Sequence, residues 1–113
     1  MHELSLCEGV LQLIEANAAR SGFTRVRGVQ LEIGELAGVD TEALRFSFDV
    51  VTRGTMADAA SLAISPVPGQ AWCMACSNTV HVSRRVDPCP DCGSHQLQVN
   101  GGDDMVLKSL EVE

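Results

Sequence analysis

Two groups of residues in this chain have the types and spacings that hold metal ions. Cys73 and Cys76 form one Cys-x-x-Cys pair, and Cys89 and Cys92 form a second, with twelve residues between them. Each pair sets two thiolates on one tight turn. Two such turns facing each other present four sulfurs in a tetrahedron, the geometry of a closed structural Zn²⁺ site. In the second turn Pro90 stiffens the backbone and Gly93 permits positive φ just past the last ligand. A single Cys-x-x-Cys can also be a redox disulfide motif; two facing pairs in a segment poor in core residues point to metal instead. The second group is the start of the chain, Met1-His2-Glu3. A large residue at position 2 leaves the initiator methionine, and its α-amine, in place. The Met1 amine, the His2 amide nitrogen and the His2 imidazole then close adjacent five- and six-membered rings around one ion. Planar nitrogen donors of this kind suit Ni²⁺ and Cu²⁺ better than Zn²⁺ or Mg²⁺. Glu3 adds a carboxylate beside them. From spacing alone, a histidine at position 2 is more often a solvated terminal residue than a ligand.

The elements that must position these groups follow from periodicity. Cys7, Val10, Leu11, Ile14 and Ala18 make one apolar face of a helix over residues 1–22, with Gly22 suited to end it. Cys7 on that face reads as a small hydrophobe. Val29, Leu31 and Ile33 alternate with Gln30 and Glu32, which predicts a strand over 27–34. Asp40 or Thr41 can cap a second helix running to about Arg53, its buried face Leu44, Phe48 and Val51. A strand over 61–67 carries Leu62 and Ile64, and Met105 to Val112 reads as a last strand returning to the first sheet. The cysteine segment has little apolar periodicity. It reads as an insertion, with Pro66, Pro68, Gly69, Gly101 and Gly102 as short flexible linkers. The expected fold is α+β: two helices packed on a small three-stranded sheet, with an inserted zinc-ribbon domain. Residues 1–69 plus 103–113 form the first domain and 70–102 the ribbon.

Composition narrows the function classes. The 113 residues are 45% hydrophobic and 20% charged, which argues against intrinsic disorder. No apolar run approaches a membrane span and no secretory signal opens the chain, so the expected location is the cytoplasm. The net charge is −7. Residues 70–102 hold only Arg84 and Arg85 against Asp87 and Asp91. A zinc-ribbon module binding nucleic acid would need a basic surface there. A zinc hydrolase would need an open coordination position, which four cysteines close. No Ser/His/Asp arrangement or phosphate-cradling glycine loop is evident either, so no enzyme is expected.

Several landmarks, in order along the whole chain, change the weighting of the N-terminal group. They are Met1-His2-Glu3-Leu4-Ser5, Leu31-Glu32-Ile33-Gly34, Cys89 to Ser94 (Cys-Pro-x-Cys-Gly-Ser) and Leu110-Glu111-Val112-Glu113. Together they resemble the hydrogenase nickel-incorporation family, HypA/HybF. The resemblance implies a small metallochaperone that delivers Ni²⁺ during [NiFe]-hydrogenase maturation, working with the GTPase HypB and the hydrogenase large subunit. Urease maturation is a second client for some members. It implies a nickel site around His2, with Glu3 and Asp40 at positions that match the family's nickel binding, and a structural zinc at the four cysteines; the chelate of Met1 and His2 needs a fourth donor, for which Glu3, Asp40 and His95 are the candidates in that order. Self-association is allowed; neither nucleic acid nor membrane is an expected partner. The chain departs from some members in lacking a histidine two residues after Cys76 or directly after Cys92. The alternative is a zinc-ribbon protein- or nucleic-acid-interaction module without a nickel function.

Overall fold

A computed structural model describes residues 2–113. Eight elements follow in chain order: α1 (His2–Ser21), β1 (Val26–Gly34), α2 (Thr41–Thr52), β2 (Ser61–Val67), β3 (Gln70–Cys73), β4 (Asn78–His81), β5 (Leu97–Gly101) and β6 (Met105–Val112). They make two three-stranded sheets, ordered β2-β1-β6 and β4-β3-β5. The last strand therefore lies beside the first, as expected from the sequence. Among the described residues no helix is long and apolar enough to cross a membrane.

The chain forms two compact units. One holds the chain up to Leu31 together with Val39–Ile64 and Leu107–Glu113; the other holds Glu32–Gly38 and Ser65–Val106. In the first unit the stripe Cys7, Val10, Ile14 and Ala18 of α1 is buried, with Leu44 and Phe48 of α2 and Val26, Val29 and Leu31 of β1. The Cys7 thiol lies 3.4 Å from the Leu44 carbonyl oxygen. Burial of the sulfur, with the Glu3 carboxylate adding to it, pushes this thiol up to about 11. Gly22, with φ of +81°, ends α1. Thr52, not Val51, is the third buried residue of α2. A hydroxyl is tolerated there because Thr52 Oγ1 donates to the Phe48 carbonyl one turn back, at 2.7 Å.

The second unit has its own small core, which periodicity did not reveal: Leu36, Ala71, Cys73, Val80, Val82 and Cys89, with Cys76, Leu97 and Val99 packed against it. The central strand β3 is paired antiparallel to β4 and β5, Ala71 lying opposite Val80 on one side and Val99 on the other. Leu36 reaches this core from the turn after β1. Its main-chain N–H donates to the Gly102 carbonyl at 2.8 Å, and the Glu35 N–H to the Val67 carbonyl at 2.8 Å.

The residues read from sequence as flexible linkers are tightly packed. A Cβ at Gly102 would sit 2.2 Å from the Pro68 carbonyl oxygen, one at Gly34 2.2 Å from the Gly102 carbonyl oxygen, and one at Gly69 2.1 Å from the Val82 carbonyl oxygen. Four stretches of backbone, around residues 34, 68–69, 82 and 102, meet there, and glycine is present because nothing larger fits. The Glu35 carboxylate closes the same crossing. Its Oε1 accepts the Gly69 N–H at 3.0 Å and lies 2.8 Å from His81 Nε2. The Gly69 N–H and the His81 ring hold the Glu35 carboxyl below its usual range.

Candidate metal centres

The first centre belongs to the second compact unit. Cys73 closes β3 and Cys76 lies in the turn to β4, while Cys89 and Cys92 lie in the loop before β5. The two turns are built alike. In each, the residue after the second cysteine has positive φ (Ser77 at 56° and Gly93 at 78°) and its N–H donates to the carbonyl of the first cysteine at 2.8 Å. Serine holds in the first turn the conformation that glycine holds in the second. The four sulfurs lie within 4.8 Å of one another. Cys73 and Cys92 Sγ are 3.6 Å apart, and Cys76 and Cys89 Sγ 3.8 Å.

A tetrahedral Zn²⁺ with bonds of about 2.3 Å requires sulfurs about 3.8 Å apart. The donor set fits that ion in identity, number and spacing. Thiols so close together cannot all ionise alone. The Cys76 N–H and neighbouring thiols bring Cys73 down to about 7. Donation to that sulfur, and burial, push Cys76 up to about 12. At Cys92 the Ser94 N–H pulls down, but burial and the adjacent thiols prevail and the net shift is upward. A bound dication would supply the charge that lets all four be thiolates. Cys73 and Cys89 are buried while Cys92 is exposed.

The second group lies in the first compact unit. Met1 lies outside the described residues. His2 and Glu3 form the first turn of α1, where amide N–H groups have no helical carbonyl to bond. Replacing the His2 amide proton by a metal therefore breaks no helical hydrogen bond. His2 Nδ1, the ring nitrogen that can close a six-membered chelate with its own amide, lies 3.6 Å from Glu3 Oε2. The same oxygen accepts the Asp40 main-chain N–H at 3.3 Å. That N–H, ahead of Glu3's own amide and His2, holds the Glu3 carboxyl below its usual range. The Asp40 side chain is engaged elsewhere: Oδ1 accepts from the Glu42 and Ala43 amides at 3.0 and 3.2 Å, capping α2. His2, Glu3 and Asp40 thus come together. His95 belongs to the other unit, in the segment after Cys92. A groove of about 320 Å³ is lined by Glu3, Leu4, Ala43, Phe46, Ser47 and Val50, and Phe46 is 72% exposed.

Sequence reasoning missed the Glu35–His81 pair. The two residues are 46 positions apart, and neither stands in a motif.

A family model described as hydrogenase/urease nickel incorporation, metallochaperone, hypA, matches residues 1–112. Proteins named hydrogenase maturation factor HypA from Alkalilimnicola ehrlichii, Acidithiobacillus ferrooxidans and Azotobacter vinelandii are 59%, 55% and 53% identical over 113 residues, covering all of both chains. The fold matches the solution structure of the Ni metallochaperone HypA from Helicobacter pylori, with a TM-score of 0.70, 22% identity, and 97% of this chain and 96% of that one covered. A second solution structure, of a HypA protein, matches with a TM-score of 0.72, 24% identity, and 100% and 97% covered. With a family model spanning nearly the whole chain and full-length relatives above half identity, the chain belongs to the HypA family of hydrogenase/urease nickel-incorporation metallochaperones.

Proposed function

We propose that this chain binds Ni²⁺ at its N-terminus and delivers it during [NiFe]-hydrogenase maturation, transforming no substrate itself. The ligands are the Met1 amine, the His2 amide nitrogen, the His2 imidazole and the Glu3 carboxylate. The observation that carries the reading is His2 Nδ1 facing the Glu3 carboxylate at 3.6 Å, in a helical turn whose amides are unbonded by the helix. Such a site is selective yet releasable, because an amine and one imidazole are readily reprotonated or outcompeted by a receiver's ligands. The four cysteines hold a Zn²⁺ that is static by contrast: a closed thiolate shell fixes the ribbon in shape and leaves no position for a substrate. The receivers are a HypB-type GTPase and the hydrogenase large subunit, encountered in the cytoplasm. Nickel is the task of residues 1–69 and 103–113, and zinc of 70–102. This functional division differs from the compact units, since Leu36 packs with the ribbon core.

The test is Ni²⁺ titration and metal analysis of the native chain, of His2→Ala and of a chain carrying one uncleaved residue before Met1. His2→Ala should lose specific Ni²⁺ binding while keeping zinc and fold. The extension should weaken nickel nearly as much, because it moves the α-amine away. Unchanged binding by the extended chain removes the amine from the ligand set; unchanged binding by His2→Ala as well ends the nickel reading.

A further inference from the structure

The four sulfurs of the ribbon are not equally protected. Cys73 and Cys89 are buried and Cys76 is half-buried, but Cys92 is exposed. Its surroundings are open as well. Pro90, Asp91 and Gly93 are all exposed, and a Cβ placed on Gly93 would meet nothing within 4 Å. A small solute therefore meets the Cys92 sulfur before the other three. A close neighbour of that sulfur lies on the other turn: Cys73 Sγ, 3.6 Å away and 19 positions earlier. Cys76 and Cys89 pair in the same manner at 3.8 Å. Both contacts run across the two turns, and neither lies within a Cys-x-x-Cys pair. Oxidation of cysteine follows thiolate character and exposure, and a sensing cysteine often stands next to a second thiol that resolves it.

Resting on the zinc reading above, we propose that Cys92 is an oxidative modification site of the ribbon: hydrogen peroxide converts its thiolate to a sulfenic acid, and Cys73 closes on it as a cross-turn disulfide that releases the metal. In the first step the Cys92 sulfur attacks one peroxide oxygen. The O–O bond breaks, and the departing hydroxide takes a proton to become water. In the second step the Cys73 thiolate attacks the Cys92 sulfur. The S–O bond breaks, and a second hydroxide leaves and is protonated. Two thiolates have then given up two electrons, and one peroxide has become two waters. The shell retains Cys76 and Cys89 alone, too few donors for a closed structural site. The burial of Cys73 suits it to the second role: peroxide does not reach it first, yet Cys92 is within its reach. A cross-turn disulfide also ties the two turns together after the metal has gone, so reduction restores a shell that is still assembled. Disulfides within each pair would leave nothing between the turns.

The test uses the full chain purified with zinc and treated with one equivalent of hydrogen peroxide. Zinc release is followed with a chromogenic chelator, and disulfide connectivity by alkylation and peptide mass mapping. Zinc content is measured first; a chain without stoichiometric zinc ends the zinc reading itself, a result distinct from those that follow. The expected products are a Cys73–Cys92 disulfide, zinc released in proportion to peroxide consumed, and Cys7, Cys76 and Cys89 still free for alkylation after unfolding. A thiol reductant should restore zinc binding. Histidine variants test the exposed sulfur directly, since a shell of three cysteines and one histidine also holds structural zinc. Cys92→His should release zinc about tenfold more slowly than the native chain, and Cys76→His at close to the native rate. Where a variant holds no zinc, connectivity in the native chain decides alone. A first disulfide within a pair, Cys73–Cys76 or Cys89–Cys92, overturns the proposal, as does equally fast release from the two variants. Zinc retained by the native chain while excess peroxide fully oxidises Met74, 55% exposed beside Cys73, overturns it too.

Discussion

Replacing Gly102 by alanine tests how tightly the second unit packs where residues 34, 68–69 and 102 meet. Gly102 has φ of +68°, and its Cβ would lie 2.2 Å from the Pro68 carbonyl oxygen and 2.8 Å from the Gly69 Cα. The left-handed backbone costs an L-residue about 1 kcal/mol. Ordinary contact begins near 3.4 Å, so one backbone must move by 1.2 Å (3.4 − 2.2) to admit the methyl. Forcing such a group into a packed crossing costs about 1–3 kcal/mol. Alanine's smaller unfolded-state entropy returns about 0.5 kcal/mol. The net loss is about 1.5–3.5 kcal/mol, or roughly 10 °C in the thermal midpoint for a chain of this length. Gly38→Ala is the control: it has φ of +71° and nothing within 4 Å, so it bears the conformational cost alone. Trp72, the single tryptophan, lies in β3 and reports the melting of this unit in the zinc-loaded protein. If Gly102→Ala melts at the same temperature as Gly38→Ala, the crossing is loose and the packing argument fails.

Further outcomes follow from the two centres and their surroundings. Cys89→Ala should lose stoichiometric zinc by metal analysis and lose the Trp72 melting transition; structural zinc contributes on the order of 10–16 kcal/mol, comparable to or larger than the stability of a whole domain. The Glu35 carboxyl is lowered from its ordinary 4.5, so its contribution is complete above that pH and is lost as the pH falls through the lower, folded value. Acid unfolding of Glu35→Gln should therefore show a shallower loss of stability below pH 4.5 than the native chain does. Cys7, buried and pushed up to about 11, should resist alkylation at pH 8 in the folded protein and react fully in denaturant. Native-state labelling of Cys7 at the rate of a free thiol would contradict its burial.

Much of the first unit was legible in the sequence because its elements are amphipathic with clean periods. The Cys7, Val10, Ile14, Ala18 stripe and the alternation at Val29, Leu31 and Ile33 each bury one face and leave few alternatives. Val51 and Thr52 were exchanged because periodicity counts methyl groups and cannot see a hydroxyl satisfied by the carbonyl one turn back. The cysteine cluster was legible through spacing, since four thiols at two tight turns can meet in few other ways. The ribbon's core was not. Its apolar members are single residues on short strands, and Leu36 arrives from a distant turn. The glycines illustrate a deeper ambiguity. Glycine marks both freedom and close approach, and only the identity of the neighbouring atoms tells them apart. The Glu3–Asp40 and Glu35–His81 contacts, 37 and 46 residues apart, depend on tertiary structure alone.

The order β2-β1-β6 has a consequence for how the chain is made. The middle strand of the first sheet ends at Gly34, but one of its two neighbours begins at Met105. About seventy residues must still be polymerised before that neighbour exists, roughly 4–14 s at ribosomal rates of about 5–20 residues per second. For that interval β1 has an open edge, and an open edge is where a nascent chain pairs with another copy. The ribbon is synthesised inside the same interval. Its four cysteines can therefore take up their metal before the first sheet is closed. Shortage of the metal during synthesis should then appear as aggregation of new chains while those already folded stay in solution.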